Sequence, residues 1–306
     1  MIEIEELDQG ALDRWLGVSN AVRPRDPLTP SMMIDWSSQA ESMIWLVATA
    51  DGVDTATGHG IIGWHADPGV ARLEVSVLAP WERHGLGTAV LERLSAWALA
   101  GGQSLADGTV DEDDAGSLAW AGRRGFTEVG RDVLLRLDLD GFDRPEADPP
   151  EGITITSWAD RPDTIGGIYE VACEAYPDIP GRESAAMAPF EKWRDNDLAG
   201  ASDRPDATFV ATAGSEVVGY AKLSLSEALP DTVFHDITGV KRAWRGRGIA
   251  GALKRTEIAW AIDGGYAMLK TANEERNAPI RVLNERYGYV VEPGTIRVRG
   301  PLTAGS

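Results

Sequence analysis

The chain has 306 residues, a net charge of −19 at neutral pH and a single cysteine, Cys173. That length accommodates about two domains, the lone cysteine excludes a disulfide framework and a multi-cysteine zinc site, and the acidic balance argues against a nucleic-acid partner, whose phosphates it would repel. The start, Met1-Ile2-Glu3-Ile4-Glu5-Glu6, lacks the basic flank and apolar run of a secretory signal, and no stretch has the length of a membrane span. A cytoplasmic protein with no metal and no membrane partner is therefore expected, acting as a monomer or homodimer. The acidic surface reads either as a solubility device or as a field that steers a cationic substrate.

In chain order, the hydrophobic pattern predicts a strand over 2–5, helical material over 10–40, and strands over 44–50, 58–64 and 72–78. A helix over 86–100, a shorter one over 115–123 and a strand over 132–139 follow. The Pro/Asp-rich segment Gly141-Phe142-Asp143-Arg144-Pro145-Glu146-Ala147-Asp148-Pro149-Pro150 reads as a linker. Beyond it the pattern begins again: a strand over 153–158, helices within 164–199, strands over 208–213, 216–225 and 233–240, and a helix over 249–263. A strand over 267–271, a helix over 279–286 and a strand over 295–299 close the chain. Strands grouped around helices predict a mixed α/β fold, a central sheet flanked by helices on both faces.

The second half repeats the first. Val47-Ala48-Thr49-Ala50 recurs 163 residues later as Val210-Ala211-Thr212-Ala213, Val77 and Trp81 as Val240 and Trp244, and Gly101-Gly102 as Gly264-Gly265. Arg123-Arg124-Gly125-Phe126 recurs as Arg286-Tyr287-Gly288-Tyr289, with no slip in the offset. A period this long means two copies of a whole domain. Residues 1–140 and 151–306 are the expected domains, with 141–150 between them.

The most informative stretch is Val240-Lys241-Arg242-Ala243-Trp244-Arg245-Gly246-Arg247-Gly248-Ile249-Ala250-Gly251. A strand runs into a loop of arginine and glycine that opens straight into a helix. Glycines let backbone N–H groups approach an anion, and the helix start adds partial positive charge. Lys241, Arg242, Arg245, Arg247, Lys254 and Arg255 cluster here in an otherwise acidic chain, so an anion such as a diphosphate is expected.

This order of elements, with Arg245-x-x-Gly248-x-Ala250 after the central strand, resembles the GNAT superfamily of acetyl-CoA-dependent acyltransferases. Thr238-Gly239-Val240, Lys254, Thr271-Ala272-Asn273, Asn277, Asn284 and Gly288-Tyr289 resemble its tandem-domain, mycothiol-synthase-like members. The resemblance implies two tandem domains, each with a mixed, mostly antiparallel sheet. It also implies that acetyl-CoA, as co-substrate, lies against Gly239, Val240, Arg245, Gly246, Arg247, Gly248, Ile249, Ala250, Gly251, Asn273 and Asn277. Strands splay beside Val240 in that family, so the pantetheine arm adds like a further strand. Asn277, ahead of Ala278-Pro279, reads equally as a helix N-cap.

At the 163-residue offset Arg245 becomes Glu82, Gly246 becomes Arg83, Arg247 becomes His84, Gly251 becomes Thr88, Asn277 becomes Asp114 and Asn284 becomes Ala121. A carboxylate beside a diphosphate is repulsive by about 1 kcal/mol or more at an effective dielectric of about 20. The first copy is therefore expected to bind CoA weakly or not at all, and to shape the substrate cleft of the second.

The expected reaction is acetyl transfer to the amine of a small molecule, which the charge would steer if cationic. It needs a neutral amine, a polarised thioester carbonyl and protonation of the thiolate. Many family members use a tyrosine as the acid at the position that is Asn284 here; Tyr287 lies three residues on. His235 and Asp236 alternate across the strand entering the loop, so at most one faces the cleft; Asp236 is the better base by position, and His235 reads as an exposed histidine. Glu174, Tyr176 and Asp178 read either as acceptor-lining groups or as loop residues. Asp236, Asn284 and Tyr287 are thus the catalytic candidates. Loss of the tyrosine leaves open a non-catalytic acyl-CoA-binding or regulatory module; transfer from an aminoacyl-tRNA fits neither the charge nor the intact loop.

Overall fold

The computed structural model describes residues 2–63, 67–180 and 187–303. Trp64, at the end of the expected 58–64 strand, and residues 181–186, within the expected 164–199 helical region, lie outside them. The elements of the first half are β1 (Ile2–Glu6), α1 (Leu12–Val22), α2 (Pro30–Gln39), β2 (Ser42–Ala50), β3 (Val53–Ile62), β4 (Val70–Val77), α3 (Leu86–Ala100), β5 (Leu105–Asp111), α4 (Ala115–Gly122) and β6 (Thr127–Asp138). Those of the second are β7 (Ile153–Ser157), α5 (Ile165–Ala175), α6 (Phe190–Asp197), β8 (Asp203–Ala213), β9 (Glu216–Leu225), β10 (Thr232–Val240), α7 (Ile249–Asp263), β11 (Met268–Glu274), α8 (Ala278–Arg286) and β12 (Val290–Pro301). Among the described residues no helix is long and apolar enough to cross a membrane.

The chain forms two compact units, one of residues 1–130 with 295–306 and one of residues 131–294. In unit 1, strands β1 to β4 pair antiparallel in sequence order and β4 pairs parallel with β5. The sheet is finished from the far end of the chain, because β12 pairs with β5 from Thr295 opposite Asp111 to Pro301 opposite Leu105. In unit 2, β7 to β10 pair antiparallel and β10 pairs parallel with β11. Here β6 finishes the sheet, with Asp132 opposite Glu274 and Asp138 opposite Met268. Each half thus gives its last strand to the other unit, so the compact units are not the sequence-continuous halves 1–140 and 151–306.

Helices pack on both sheet faces because apolar side chains alternate along the strands. In unit 1, Leu86, Val90, Leu94 and Ala98 of α3 bury against Leu46, Ala48, Ala56 and Leu73. Trp15, Leu16 and Met33 of α1 and α2 cover Trp45 and Val47 on the opposite face. In unit 2, Ile249, Leu253, Ile258 and Ala261 of α7 cover Phe209, Ala221, Leu223, Val233 and Leu269. Ile168, Val171 and Ala172 of α5, with Trp193 of α6, cover Val210 and Tyr220.

The 141–150 segment is bound to unit 2 along its length. Arg144 pairs with Asp263 at the end of α7 (2.6 Å), Arg255 donates to the carbonyls of Glu146, Ala147 and Asp148, and Pro150 reaches Gly248 at the helix start. It is a strap along α7.

The 163-residue offset conceals one slip. Glu74 faces His59 as Ile237 faces Lys222, but Leu73 faces Gly60 where His235 faces Leu223. Asp236 is a β-bulge, an extra residue in β10 that unit 1 lacks, and a connection one residue shorter between β9 and β10 restores the offset.

Candidate functional site

The loop from β10 to α7 makes one 3-10 turn over residues 242–244 and then turns on two left-handed glycines, Gly246 (φ 75°) and Gly248 (φ 85°). Both need glycine for conformation, since a Cβ at Gly246 would meet nothing and one at Gly248 only Pro150 at 3.6 Å. Gly248 occupies the N-cap position and no side chain caps α7, so the first-turn N–H groups have no partner within the helix. Ile249 anchors that turn in the core while Ala250 packs beside it. This is a backbone cradle with room for an anion.

The expected basic cluster is largely neutralised within the protein. Lys241 pairs with Glu170 at 2.9 Å and Glu216 at 3.3 Å. Asp178 takes both Arg242 and Arg245 at 2.7 Å, and the hydrogen bonds from Arg242 and then Arg245 hold its carboxyl below the ordinary carboxylate range. Glu174 accepts the Arg242 backbone N–H at 2.9 Å. Glu174 and Asp178 therefore fasten the loop to α5 and the turn after it, and Tyr176 donates to Asp197 (2.5 Å). Arg247 lies over the Trp244 ring, 4.7 Å from its centroid, Arg255 is taken by the strap, and Lys254 is buried. Any anion here is held mainly by backbone N–H groups.

Beside the loop the sheet opens. The parallel pairs of β10 and β11 run from Thr232 opposite Met268 to His235 opposite Thr271. Past the Asp236 bulge, β10 stays paired with β9 as far as Val240 opposite Gly219, and β11 stays paired with β6 as far as Glu274. The facing edges of β10 and β11 part there, as expected beside Val240. Val240 itself is buried, and its carbonyl accepts Arg245 Nε at 2.9 Å. Gly239 meets α5 closely, a Cβ there coming within 3.1 Å of Ala175.

Two polar groups flank this gap on opposite faces. Toward α6, Asp236 accepts from Ser224 (2.8 Å) and pairs with Lys222 (3.1 Å), which also bonds Asp203 at 2.6 Å and the Asp197 carbonyl at 2.7 Å. Burial works against the Lys222 ammonium, but Asp236 and Asp203 outweigh it and raise its pKa; burial raises Asp203. On the α8 face, Asn284 is fully buried, donates to Asn273 Oδ1 at 2.7 Å and leaves its own Oδ1 without a partner. Tyr287 is drawn away to α7, where its hydroxyl donates to the Gly251 carbonyl at 3.1 Å and accepts from Arg255 at 2.9 Å. Asn277 stands at the N-cap of α8 without a capping bond, whereas its counterpart Asp114 caps α4 through Ser117 N–H at 2.9 Å. Capping thus accounts for Asp114 and not for Asn277.

Sequence reasoning missed His235, expected to be exposed. It is buried with Lys254, Glu257 and Tyr289. The available signal was Lys254 and Glu257, one turn apart on the otherwise apolar inner face of α7.

Unit 1 keeps the backbone of the loop and changes its chemistry. Arg83 (φ 61°) and Gly85 (φ 89°) stand where Gly246 and Gly248 do. His84 replaces Arg247 beside a tryptophan, Trp81, and Arg124, in the place of Tyr287, donates to Thr88 at 2.5 Å.

The sequence profile of the Acetyltransferase (GNAT) family matches residues 8–126 and 165–289. No curated protein matches the chain in sequence. Among solved structures, a tandem GNAT protein from the clavulanic acid biosynthesis pathway superposes with a TM-score of 0.80 at 17% identity over all of both chains. A GCN5-related N-acetyltransferase from Sphaerobacter thermophilus gives 0.76 at 18% identity, over 100% of this chain and 97% of that one. A GNAT-family acetyltransferase from Colwellia psychrerythraea gives 0.61 at 12% identity, over 98% and 100%. At these identities the structural likeness speaks for the fold.

Proposed function

The chain belongs to the GNAT acetyltransferase family, and from that premise we propose that unit 2 transfers an acetyl group from acetyl-CoA to the amine of a small molecule. One observation carries the reading: in unit 2 the parted edges of β10 and β11 open beside an uncapped helix start behind two left-handed glycines. The N–H groups of residues 246–251 would hold the diphosphate, with Arg245 and Arg247 at its rim. Residues 239 and 240 would take the pantetheine arm, with Asn273 and Asn277 on the other wall. A backbone N–H at the end of β10 would polarise the thioester carbonyl.

Asp236, on the bulge, is the candidate to accept the proton of the amine. Two carboxylates, Asp203 and Asp236, flank the single ammonium of Lys222, which leaves the acceptor side net negative and fits a cationic amine. Unit 1 has the same parted strands and uncapped helix start, but Glu82 and Asp114 replace Arg245 and Asn277 there, and it is these carboxylates that speak against transfer by unit 1. One observation favours a non-catalytic acyl-CoA-binding module instead: Asn284, engaged with Asn273, brings no acidic hydroxyl to the gap.

Calorimetry with acetyl-CoA, alongside thiol release across a panel of amines, tests both readings. One site per chain with turnover is expected. Tight binding with no turnover favours the module. Gly248→Glu puts a side chain at φ 85° and a carboxylate at the diphosphate, and should weaken binding by about tenfold or more; an unchanged affinity refutes this siting.

A further inference from the structure

Among the described residues of unit 2, four buried ionisable side chains lie together and play no part in the proposed transfer. His235 is 6% exposed, Lys254 1%, Glu257 0% and Tyr289 5%. His235 Nε2 and the Tyr289 hydroxyl are hydrogen-bonded. Across the ring, Nδ1 lies 3.1 Å from Glu257 Oε2, at an angle that leaves both atoms, and Glu257 Oε1, without a hydrogen bond. Lys254 precedes Glu257 by one turn of α7, its Nζ 5.4 Å from the Tyr289 ring centroid. Two backbone links join the group to the walls of the gap: His235 is the last residue of β10 paired with β11, and the Tyr289 N–H donates to the carbonyl of Asn284, whose side chain holds Asn273.

Unit 1 shows that the fold does not require these groups. At the 163-residue offset Lys254 becomes Leu91, Glu257 becomes Leu94, Tyr289 becomes Phe126, Asn284 becomes Ala121 and Asn273 becomes Val110. Strand register sets Leu73 where His235 stands. Leu73, Leu91 and Leu94 are ordinary core residues with Phe126 packed against them. Buried ionisable groups without full hydrogen bonding are costly. They occur in the unit that also has the open glycine loop and the bulge, and such clusters mark functional sites.

Resting on the acetyl-transfer reading, we propose that Tyr289, His235, Glu257 and Lys254 form a proton store that protonates the departing CoA sulfur, in place of the hydroxyl that position 284 lacks. As the N–C bond forms and the C–S bond breaks, the C–S electron pair goes to sulfur, which receives the Tyr289 proton. The phenolate is reprotonated from His235 Nε2, Nδ1 takes the proton of Glu257, and the new carboxylate faces the Lys254 ammonium. The acceptor nitrogen releases one proton, and its return restores the cluster. Tyr289 is the donor; His235, Glu257 and Lys254 act through it.

The surroundings suit a store that works near neutral pH. Burial pushes Glu257 up to about 8, with Lys254 opposing and Asp236 adding to the rise. Burial pushes Lys254 down to about 8, against Glu257. Burial and then Lys254 lower His235, and burial and then Glu257 raise Tyr289. Among the described residues, β11 and α8 bring the uncharged Thr271, Asn273 and Asn284 beside this cluster, and the one buried carboxylate of β11, Glu274, is paired with Arg276.

The test measures thiol release from acetyl-CoA with glucosamine, spermidine, lysine and an aminoglycoside as acceptors. The proteins are the unaltered chain, Tyr289→Phe, Glu257→Gln, and a fourfold variant that copies unit 1 (His235→Leu, Lys254→Leu, Glu257→Leu, Tyr289→Phe). Both single variants should lose about 10²-fold or more in kcat, with acetyl-CoA affinity held within about twofold. Glu257→Gln should also abolish the fall of kcat above about pH 8. The fourfold variant should melt no lower than the unaltered chain yet lack turnover, a split that a purely structural role would not give. Unchanged kcat and pH profile in the single variants, or a folded and active fourfold variant, overturns the proton store and leaves acetyl transfer standing. Absence of thiol release from the unaltered chain with every amine, despite acetyl-CoA binding, overturns the transfer reading and this one with it.

Discussion

Deleting residues 295–306 removes the strand that finishes unit 1. Seven register pairs with β5 are lost, and β5 becomes an open edge. Ile296 and Val298, 4% and 6% exposed, stabilise the folded state by about 1.5–3 kcal/mol each. Arg299 donates to both oxygens of Asp107 at 2.5 and 2.7 Å. With each side chain about a third exposed, that pair adds about 1 kcal/mol at most. The loss of about 4–7 kcal/mol is comparable with the about 5–15 kcal/mol that holds a whole domain together. Scanning calorimetry with limited proteolysis should show unit 2 still melting cooperatively while unit 1 is digested. Residues 1–140 alone should likewise fail to fold, whereas residues 1–130 linked to 295–303 should fold. If the deletion leaves two intact transitions and an unchanged digestion pattern, the strand exchange is wrong.

Two further outcomes are expected. His59 is buried among Trp15, Trp36 and Trp45, and burial lowers its pKa from 6.5 to about 4. The unfolded chain therefore takes up this proton first, so unit 1 keeps its full stability above about pH 6.5 and loses about 3 kcal/mol as pH falls to about 4. Urea titrations at pH 7 and pH 5 should show about 2 kcal/mol of that loss in the unaltered protein and much less of it in His59→Gln; equal losses in both would exclude His59 as the cause. In the first loop, Arg83 and Gly85 already hold left-handed conformations, so Glu82→Arg with Thr88→Gly should add a second, weaker CoA site by calorimetry. A stoichiometry that stays at one would mean that these side chains are not what silences the loop.

Much of the fold was legible because its signals are local. α3 and α7 begin after a glycine that turns the chain in a left-handed conformation and end at a glycine pair, which brackets their helical periodicity from both sides. β5, Leu-Ala-Asp-Gly-Thr-Val-Asp, escaped because it has few β-branched residues and an internal glycine. The strand exchange was not legible: residues 131–138 and 295–301 both read as strands, but which sheet each joins is settled only by distant partners. The turns of the glycine loop were legible in Gly246 and Gly248, and the neutralisation of the charges around it was not, since Glu174 and Asp178 lie far from Arg242 and Arg245 in sequence. Likewise His235 looks like any polar strand residue until Glu257 and Tyr289 are folded against it.

The bulge at Asp236 also bears on how the two halves can exchange segments. Recombining them at the constant offset is harmless up to β3 and again from Glu74 and Ile237 onward. A crossover in the β3–β4 connection is harmless too, because Ile61 to Glu74 and Ser224 to Ile237 span the same stretch and the strand that follows brings its own register. A junction inside the strand, among residues 70–73, is different: the bulge and the residues ahead of it then come from different halves, and one part must sit one residue out of step with its side chains on the wrong face. Chimeras of the two halves should therefore tolerate junctions outside this stretch and fail within it.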